Sequence, residues 1–320
     1  MRRNDHDVTD QIRTTDADAV AAEILRLYRD RYPRASSRAI ETAFGDAVRM
    51  YNGAHSDFHA CDTEYHDLQH VLDVTLAMAR LMDGYDRGRR NGTPALPAAL
   101  FTEGVIAALF HDVGYLRHKR DDDRGYGSEY TLTHVSRGAR FLCGYLETQG
   151  LGAHAGQTAE LLHFTGYERP IGAIRVDDPL MLQLGRMLGS ADIIAQMSDR
   201  CYLEKCRDRL YPEFVLGGLA RRTLSDGRVE IMFRSGEDLV RKTPGFFTNA
   251  MRRLDHELAR AYDHAGTHFD GQNLYIDEMQ KNVRYAAAYD AKPDDKMLRR
   301  APPTTLRPDV KPYPEDLVIW

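Results

Sequence analysis

The chain has 320 residues, 42% of them hydrophobic and 28% charged, a composition that supports a buried core and excludes global disorder. Its net charge of −5 argues against binding to a nucleic-acid polymer, because neutralising many phosphates requires a basic surface. No apolar run approaches the ~20 residues that cross a bilayer, and the N-terminus lacks the apolar stretch of a signal peptide. The four cysteines include no Cys-x-x-Cys pair, so we expect a cytoplasmic protein with reduced thiols and no membrane association.

The first half of the chain predicts helices separated by polar loops. Residues 1–17 are polar without periodicity and are expected to form a disordered N-terminal arm. Apolar residues then recur at helical spacing, and the predicted helices span residues 19–32, 39–51, 65–82, 98–111, 130–149 and 156–164. The helix of residues 98–111 is apolar almost all round, which places it in the middle of a core.

The second half continues this pattern with one interruption. A long helix is predicted from Asp178 to residue 200 or beyond, and residues 201–210 continue or restart it. Within residues 222–233, Asp226-Gly227 stands between partly alternating segments, which indicates a hairpin, although an irregular loop fits equally well. Helices return over residues 237–265, interrupted at Gly245, and over residues 274–289. Prolines make residues 291–320 an extended C-terminal arm, so we predict an all-α fold, one domain over residues 18–290, with at most a small β-hairpin insertion.

Three segments carry residue types that bind metals. His111 and Asp112 stand side by side at the end of the apolar helix. His70 lies 41 residues before His111, in the segment Tyr-His-Asp-Leu-Gln-His-Val, and Asp192 lies 80 residues after Asp112. Imidazole and carboxylate donors suit zinc, iron, manganese or nickel better than calcium. Adjacent helical residues do not face the same way, so spacing alone does not predict that His111 and Asp112 share an ion.

In this order, His, His-Asp and Asp, the segments resemble the metal-binding pattern of the HD-domain metal-dependent phosphohydrolases, over about residues 60–215. The Tyr-His-Asp-x-x-His-Val segment resembles the opening motif of cyclic nucleotide phosphodiesterases. The resemblance implies an HD-domain-like helical bundle in which a metal ion is bound by His70, His111, Asp112 and Asp192. It also implies that His66 is the general acid, since this residue lies four before His70 and so on the same face of a helix.

Two further histidines, His134 and His163, lie on otherwise apolar helices between Asp112 and Asp192. A lone histidine in such a place is more often a core residue. Here, however, two occur in the order His, His-Asp, His, His, Asp that two-metal members of the family use. The resemblance then implies two divalent metal ions, drawn from iron, manganese, zinc, nickel or magnesium, with Asp112 bridging them.

The sequence departs from the family pattern on the substrate side. Phosphodiesterases carry a third histidine four residues after the first of the His-Asp pair, where this chain has Tyr115. The HD-GYP type carries a lysine there and a later Gly-Tyr-Pro, to which residues 166–170, Gly-Tyr-Glu-Arg-Pro, are only loosely similar. The groups that bind the substrate phosphate are therefore expected just downstream, at Arg117, His118 or Lys119, on the ground of proximity.

The sequence thus predicts a metal-dependent phosphohydrolase, a phosphodiesterase that hydrolyses a nucleotide or a similar small phosphoester with a metal-bound hydroxide. Three alternatives stay open: a di-iron oxygenase that uses the same ligand positions, a non-catalytic ligand sensor, and a helical protein with accidental histidines. Because a ligand is present at every family position, the sensor is less favoured, and the Tyr-His motif favours hydrolysis over oxygenation. The expected partner is a small phosphorylated substrate, and the sequence also allows a homo-oligomer.

Overall fold

Helices make up most of the structure, a computed structural model that describes residues 2–90, 92–121, 124–224, 226–294, 296–310, 313–314 and 317. The α-helices of these residues are α1 (Ala17–Arg31), α2 (Arg38–Tyr51), α3 (Leu68–Arg87), α4 (Ala98–Leu109), α5 (His134–Thr148), α6 (Ala155–Glu160), α7 (Pro179–Ser198), α8 (Tyr202–Lys205), α9 (Tyr211–Leu216), α10 (Gly236–Arg241), α11 (Thr243–Arg252), α12 (His264–His268) and α13 (Leu274–Ala291). Strands β1 (Arg221–Thr223) and β2 (Val229–Ile231) pair antiparallel, with Arg221 opposite Ile231. The predicted all-α fold with a small β-hairpin is confirmed. No helix of the described residues is both long enough and apolar enough to cross a bilayer.

Helices α3 and α4 form the centre of the core. Residues 100–109 of α4 are all buried, as its apolar sequence predicts. Helix α3 is buried on nearly all sides and packs against α1, α4, α7 and α12. His70, His111 and Asp112 therefore belong to, or directly follow, the most enclosed helices of the fold.

Helix α3 begins at Leu68, three residues later than predicted. The Asp67 side chain accepts a hydrogen bond from the His70 amide, 3.0 Å away, and so caps the helix. His66 therefore lies in the loop before α3, and the prediction that it shares a helix face with His70 is wrong. The corresponding prediction for α7 is confirmed, since Asp178 caps that helix by accepting two backbone amides.

Several predicted helices are divided in the structure. Short 3-10 turns flank the middle helices, Gly127–Tyr130 before α5 and Leu161–Phe164 after α6. A wider turn, Cys206–Leu210, separates α8 from α9. The break predicted at Gly245 falls instead at Lys242, because Pro244 lacks an amide proton and fits the first turn of a new helix, α11.

Parts of both predicted arms pack against the helical domain. Residues 2–16 form turns and an isolated bridge between His6 and Arg13. At the other end, the Thr305 hydroxyl donates to the Asp67 carboxylate over 2.8 Å, and Leu298 is buried. The sequence does not reveal this packing, because each contact joins a polar segment to a residue that is distant along the chain.

The N-terminal segment is held by a buried ion pair. The Arg80 guanidinium on α3 donates to the Asp7 carboxylate over 2.6 Å and to the Tyr275 hydroxyl over 3.0 Å. Burial by itself would raise the pKa of Asp7, but Arg80 outweighs it and holds this pKa below the usual value. The pair therefore stabilises the fold at pH values above the pKa of an aspartate in the unfolded chain. This stabilisation is lost as the pH falls through the lower pKa that Asp7 has in the folded protein.

Replacing Asp7 with asparagine is expected to lower the free energy of unfolding by about 3–5 kcal/mol, because the Arg80 charge would stay buried without its partner. Denaturant unfolding at neutral pH measures this loss. The matched control is Asp10→Asn, since Asp10 pairs with Arg3 at the surface and should contribute little. Equal stabilities of the two variants would show that residues 2–16 do not pack as described.

Candidate metal centre

The predicted ligands converge because the chain turns where α4 ends. Helix α4 ends at Leu109, and His111 and Asp112 lie in the turn that leads into a 3-10 turn, Val113–Tyr115. In this irregular backbone two adjacent side chains can point the same way, which they cannot do on a helix. His70 approaches from the first turn of α3, and Asp192 approaches from the middle of α7.

Three donor atoms lie close together at this turn. His70 Nε2 and His111 Nε2 are 3.3 Å apart, and each lies 3.2 Å from Asp112 Oδ2. Asp192 Oδ1 lies 3.4 Å from His70 Nε2 and 3.9 Å from His111 Nε2. His70, His111 and Asp112 are all buried, and their donor atoms are close enough together to hold one ion. The structure thus brings together the four residues that the sequence predicts as the first metal site.

The hydrogen bonds around the cluster leave donor atoms available for a cation. Although two imidazoles lie 3.2 Å from the buried Asp112 Oδ2, within the described residues this oxygen has no hydrogen-bond partner of good geometry. His111 Nδ1 lies 2.8 Å from the carbonyl of Ala108 and so carries the proton, which leaves the Nε2 lone pair free. Metal-binding histidines are commonly fixed in this tautomer by such a bond. The residues present therefore fit a divalent ion.

The electrostatics of the cluster also favour positive charge at this place. Burial alone would lower the pKa of His70, but the Asp112 and Asp192 carboxylates raise it to about 10. Burial would raise the pKa of Asp112, yet His111 and His70 hold it well below its usual range. The cluster thus retains an anionic carboxylate and takes up a proton, and a bound cation would replace that proton.

His134 extends the cluster towards Asp112. Its Nδ1 lies 2.7 Å from the Thr131 carbonyl, and its Nε2 lies 3.6 Å from Asp112 Oδ1, the oxygen that does not face His70. Gly114 permits this approach, because a Cβ at that position would lie 1.8 Å from the carbonyl oxygen of His134. His134 therefore faces the second oxygen of Asp112, as a ligand of a bridged second ion would.

His163 is not brought to the cluster in the same way. It is buried in the 3-10 turn Leu161–Phe164, and its Nδ1 has no hydrogen-bond partner among the residues described. Burial and then Arg169 lower the pKa of its imidazole. The described part of the chain shows no ion pair between His163 and Asp112, so its role as a ligand stays a prediction.

His66 is held at the edge of the cluster by a residue that the sequence analysis missed. Its Nδ1 lies 2.5 Å from Glu213 Oε2 on α9, and Glu213 Oε1 also accepts the Tyr65 amide. Glu213 is fully buried, and although burial would lower the pKa of His66, Glu213 raises it. The only signal in the sequence is an acidic residue inside an otherwise apolar segment, which does not identify its partner 147 residues away.

Tyr115 occupies the position at which the family pattern has a third histidine. Its ring stacks between His66 and His134, with centroid distances of 4.4 Å and 4.2 Å. Burial, followed by the charge of Asp112, raises the pKa of the phenol well above its usual value, so the ring is neutral. Tyr115 therefore fixes the spacing of the two imidazoles.

A cleft of about 490 Å³ opens onto this arrangement. Its wall includes four of the predicted site residues: His66, Asp112, His134 and Asp192. Asp192 is further oriented by Gln196, whose amide donates to Oδ1 over 3.3 Å and whose carbonyl accepts the Tyr65 hydroxyl. The cleft thus reaches the cluster at Asp112 and Asp192, and His70 and His111 are not among its described wall residues.

Arg117 and Lys119, predicted to bind the substrate phosphate, lie elsewhere. Arg117 Nε donates to Asp62 over 2.7 Å, and Lys119 Nζ donates to the His55 carbonyl over 3.0 Å. Both line a separate cavity of about 290 Å³. The Asp62 carboxylate holds Arg117 away from the cleft, so closeness to His111 in sequence does not become closeness in space.

Comparisons with protein-family models, with curated proteins and with solved structures find no match for this chain.

Proposed function

We propose that the chain is a metal-dependent phosphohydrolase, a phosphodiesterase acting on a small phosphoester. The observation that carries the proposal is the convergence of His70 Nε2, His111 Nε2 and Asp112 Oδ2 at the cleft. We assign Asp192 as the fourth ligand of that ion. His134, His163 and Asp112 would hold a second ion, an assignment supported by the geometry of His134 and by the order of these residues in the sequence.

Nitrogen and carboxylate donors in this proportion suit iron, manganese, zinc or nickel, and magnesium would be held less tightly. Divalent ions bound there would polarise a phosphoryl oxygen and lower the pKa of a water molecule. The residues of the chain supply the remaining functions. His111 and His134 present Nε2 lone pairs because backbone carbonyls accept their Nδ1 protons. Gln196 fixes the orientation of Asp192.

His66 is assigned as the general acid. Its Nδ1 faces Glu213, which leaves Nε2 free, and its ring lies 5.7 Å from that of His70 across the edge of the cleft. Because Glu213 raises the pKa of His66, a proton is retained for transfer to the departing oxygen. Glu213 acts through His66 and is therefore a positioning residue.

Replacing His66 with glutamine is expected to slow hydrolysis of esters with poor leaving groups about 10²–10⁴-fold, the usual cost of losing a positioned acid. The deficit should shrink for p-nitrophenyl esters, since p-nitrophenolate leaves without protonation. Rates for a series of esters, with metal content measured in parallel, test this expectation. His256, exposed on the surface, supplies the control variant His256→Gln, which should behave as wild type.

Two outcomes would contradict the assignment of His66. One is loss of bound metal in His66→Gln, which would make the residue a ligand. The other is an equal deficit for activated and unactivated esters, which would give it a structural role. Glu213→Gln should show the same dependence on the leaving group with a smaller deficit, because it disturbs the acid without removing it.

A further inference from the structure

A second cavity of about 250 Å³ adjoins the cleft. The two cavities share five wall residues, so a ligand that spans both would extend from the candidate metal cluster into the second cavity: Tyr167, Ile193, Gln196, Leu210 and Phe214. Part of the wall of the second cavity comes from helices that follow the predicted HD core, with Leu239 from α10 and Phe246 from α11. Apart from Gln196, which orients Asp192, its described wall residues have no role in the candidate metal centre.

The walls of the second cavity are apolar and uncharged. Its described lining residues include four aromatic rings and no acidic or basic side chain: Tyr167, Tyr202, Phe214 and Phe246 carry the rings. The polar groups among them are the amides of Gln196 and Asn249, the hydroxyls of Thr243, Tyr167 and Tyr202, and the thiol of Cys206. Gln196 is already engaged with Asp192 and Tyr65. Such a wall favours an uncharged organic group and gives no counter-ion for a second phosphate.

The larger cleft also lacks a cation for additional phosphates. No lysine or arginine stands in its wall in the part of the chain that the structure describes, and its charged groups beside the histidines are Asp112, Asp192 and Glu168. Arg253 lies behind the ring of Tyr167, 4.2 Å from the ring centroid, and donates to the carbonyls of Phe164 and Gly166. It is 4% exposed, so it supports Tyr167 and does not reach a ligand.

The exposed apolar residues are concentrated at these cavities. Among the described residues four large hydrophobic side chains are exposed, and three of them border the cleft or its extension: Leu132, Tyr167 and Phe246. The fourth, Val229, is on the hairpin and borders neither. Exposed apolar groups at the rim of a deep site commonly contact the ligand.

We infer that the site takes a phosphoester with a single phosphoryl group and an uncharged, apolar alkyl or aryl group, which occupies the second cavity. This inference rests on the proposed function for the position of the phosphoryl group at His70, His111 and Asp112. It excludes nucleoside di- and triphosphates, because neither cavity provides a cation for further phosphates, and it favours a less polar group over a nucleoside, because the described wall of the second cavity is mostly apolar. Selectivity among phosphoesters then comes from the apolar group of the substrate, and not from a basic side chain of the protein.

Calorimetric titration of the manganese-loaded protein with methyl phosphate, hexyl phosphate and thymidine 5′-monophosphate tests the inference without relying on turnover. Burying a methylene group strengthens binding roughly fourfold. Because the five extra methylenes of the hexyl ester would be only partly enclosed, we expect hexyl phosphate to bind at least about tenfold more tightly than methyl phosphate. We also expect it to bind more tightly than thymidine 5′-monophosphate.

Two variants test whether the second cavity causes the preference for hexyl phosphate over methyl phosphate. Phe246→Glu places a carboxylate in the second cavity and should bring the ratio of the methyl to the hexyl dissociation constant close to one. Val229→Glu makes the same change at an exposed residue outside both cavities and should keep the wild-type ratio. The inference would be overturned by equal affinities for the two alkyl phosphates in the wild type, by tighter binding of the nucleotide, or by an unchanged ratio in Phe246→Glu.

A parallel assay with bis(p-nitrophenyl) phosphate separates this inference from the proposed function. Hydrolysis together with the hexyl preference supports both. Preference for hexyl phosphate without hydrolysis under manganese, iron or zinc supports the apolar site and contradicts the hydrolase. Hydrolysis without a preference for hexyl phosphate supports the proposed hydrolase function and overturns the inference that the second cavity binds an apolar group.

Discussion

Asp112→Asn is expected to lose both bound metal and phosphoesterase activity, with turnover falling by at least about 10²–10³-fold, the loss typical of removing one group that stabilises a transition state. Asp112 Oδ2 faces His70 and His111, and Oδ1 faces His134, so this carboxylate faces each of the three histidines that the structure brings together at the candidate site. An amide at the same position keeps the shape of the side chain but provides a much weaker ligand. Metal analysis and steady-state kinetics on a phosphodiester measure the two losses.

The matched control is Asp86→Asn, which alters another buried aspartate of the same core. Asp86 lies near the far end of α3, about 24 Å along the helix from His70, and pairs with Arg31 over 3.0 Å. This variant should lose stability but keep its metal and its activity per folded molecule. Turnover and metal content that persisted in Asp112→Asn would show that the His-Asp pair is not the centre of the site.

Metal removal is expected to lower the melting temperature by about 5 °C or more. An ion at 100 times its dissociation constant stabilises the native state by about 2.7 kcal/mol when the unfolded chain does not bind it, and in a chain of this size each kcal/mol corresponds to about 2 °C. The ion would tie together α3, the turn after α4, and α7, which are central elements of the core. Thermal unfolding with and without a chelator measures the shift.

Asp112→Asn serves as the control for this second prediction, since a protein without the site has no ion to lose. Its melting temperature should not respond to the chelator. If wild-type protein shown to be free of metal melted at the same temperature as the loaded protein, a central ion linking these helices would be excluded. An equal shift in Asp112→Asn would mean that the chelator acts somewhere else.

The sequence was sufficient to predict the helical fold, whereas the meeting of His70, His111 and Asp112 was implied by the family resemblance and not by spacing. Apolar periodicity marks most helices, because one face of each must be buried, and the ligand residues stand next to the most apolar helix. The start of α3 was misplaced because the Asp67 side chain competes locally with helix formation. Because the cap starts α3 at Leu68, His66 lies in the loop before the helix.

The partners of the candidate site were beyond prediction from one sequence. Glu213 reaches His66 across 147 residues, and no local pattern encodes that contact. Arg117 was expected at the phosphate because it follows the His-Asp motif closely, but Asp62 binds it elsewhere. The apolar extension of the cleft depends on Phe246 and its neighbours, whose pattern in sequence indicates only an amphipathic helix.

The most direct test of this account is the metal content of the purified protein, measured after reconstitution with manganese, iron or zinc and removal of unbound ion. The proposed centre predicts close to two ions per chain in the wild type, about one in His163→Ala, and almost none in Asp112→Asn. A single ion that His163→Ala leaves unchanged would contradict the second site. A wild-type protein that binds no stoichiometric ion, or an Asp112→Asn variant that binds as much as the wild type, would contradict the metal centre itself.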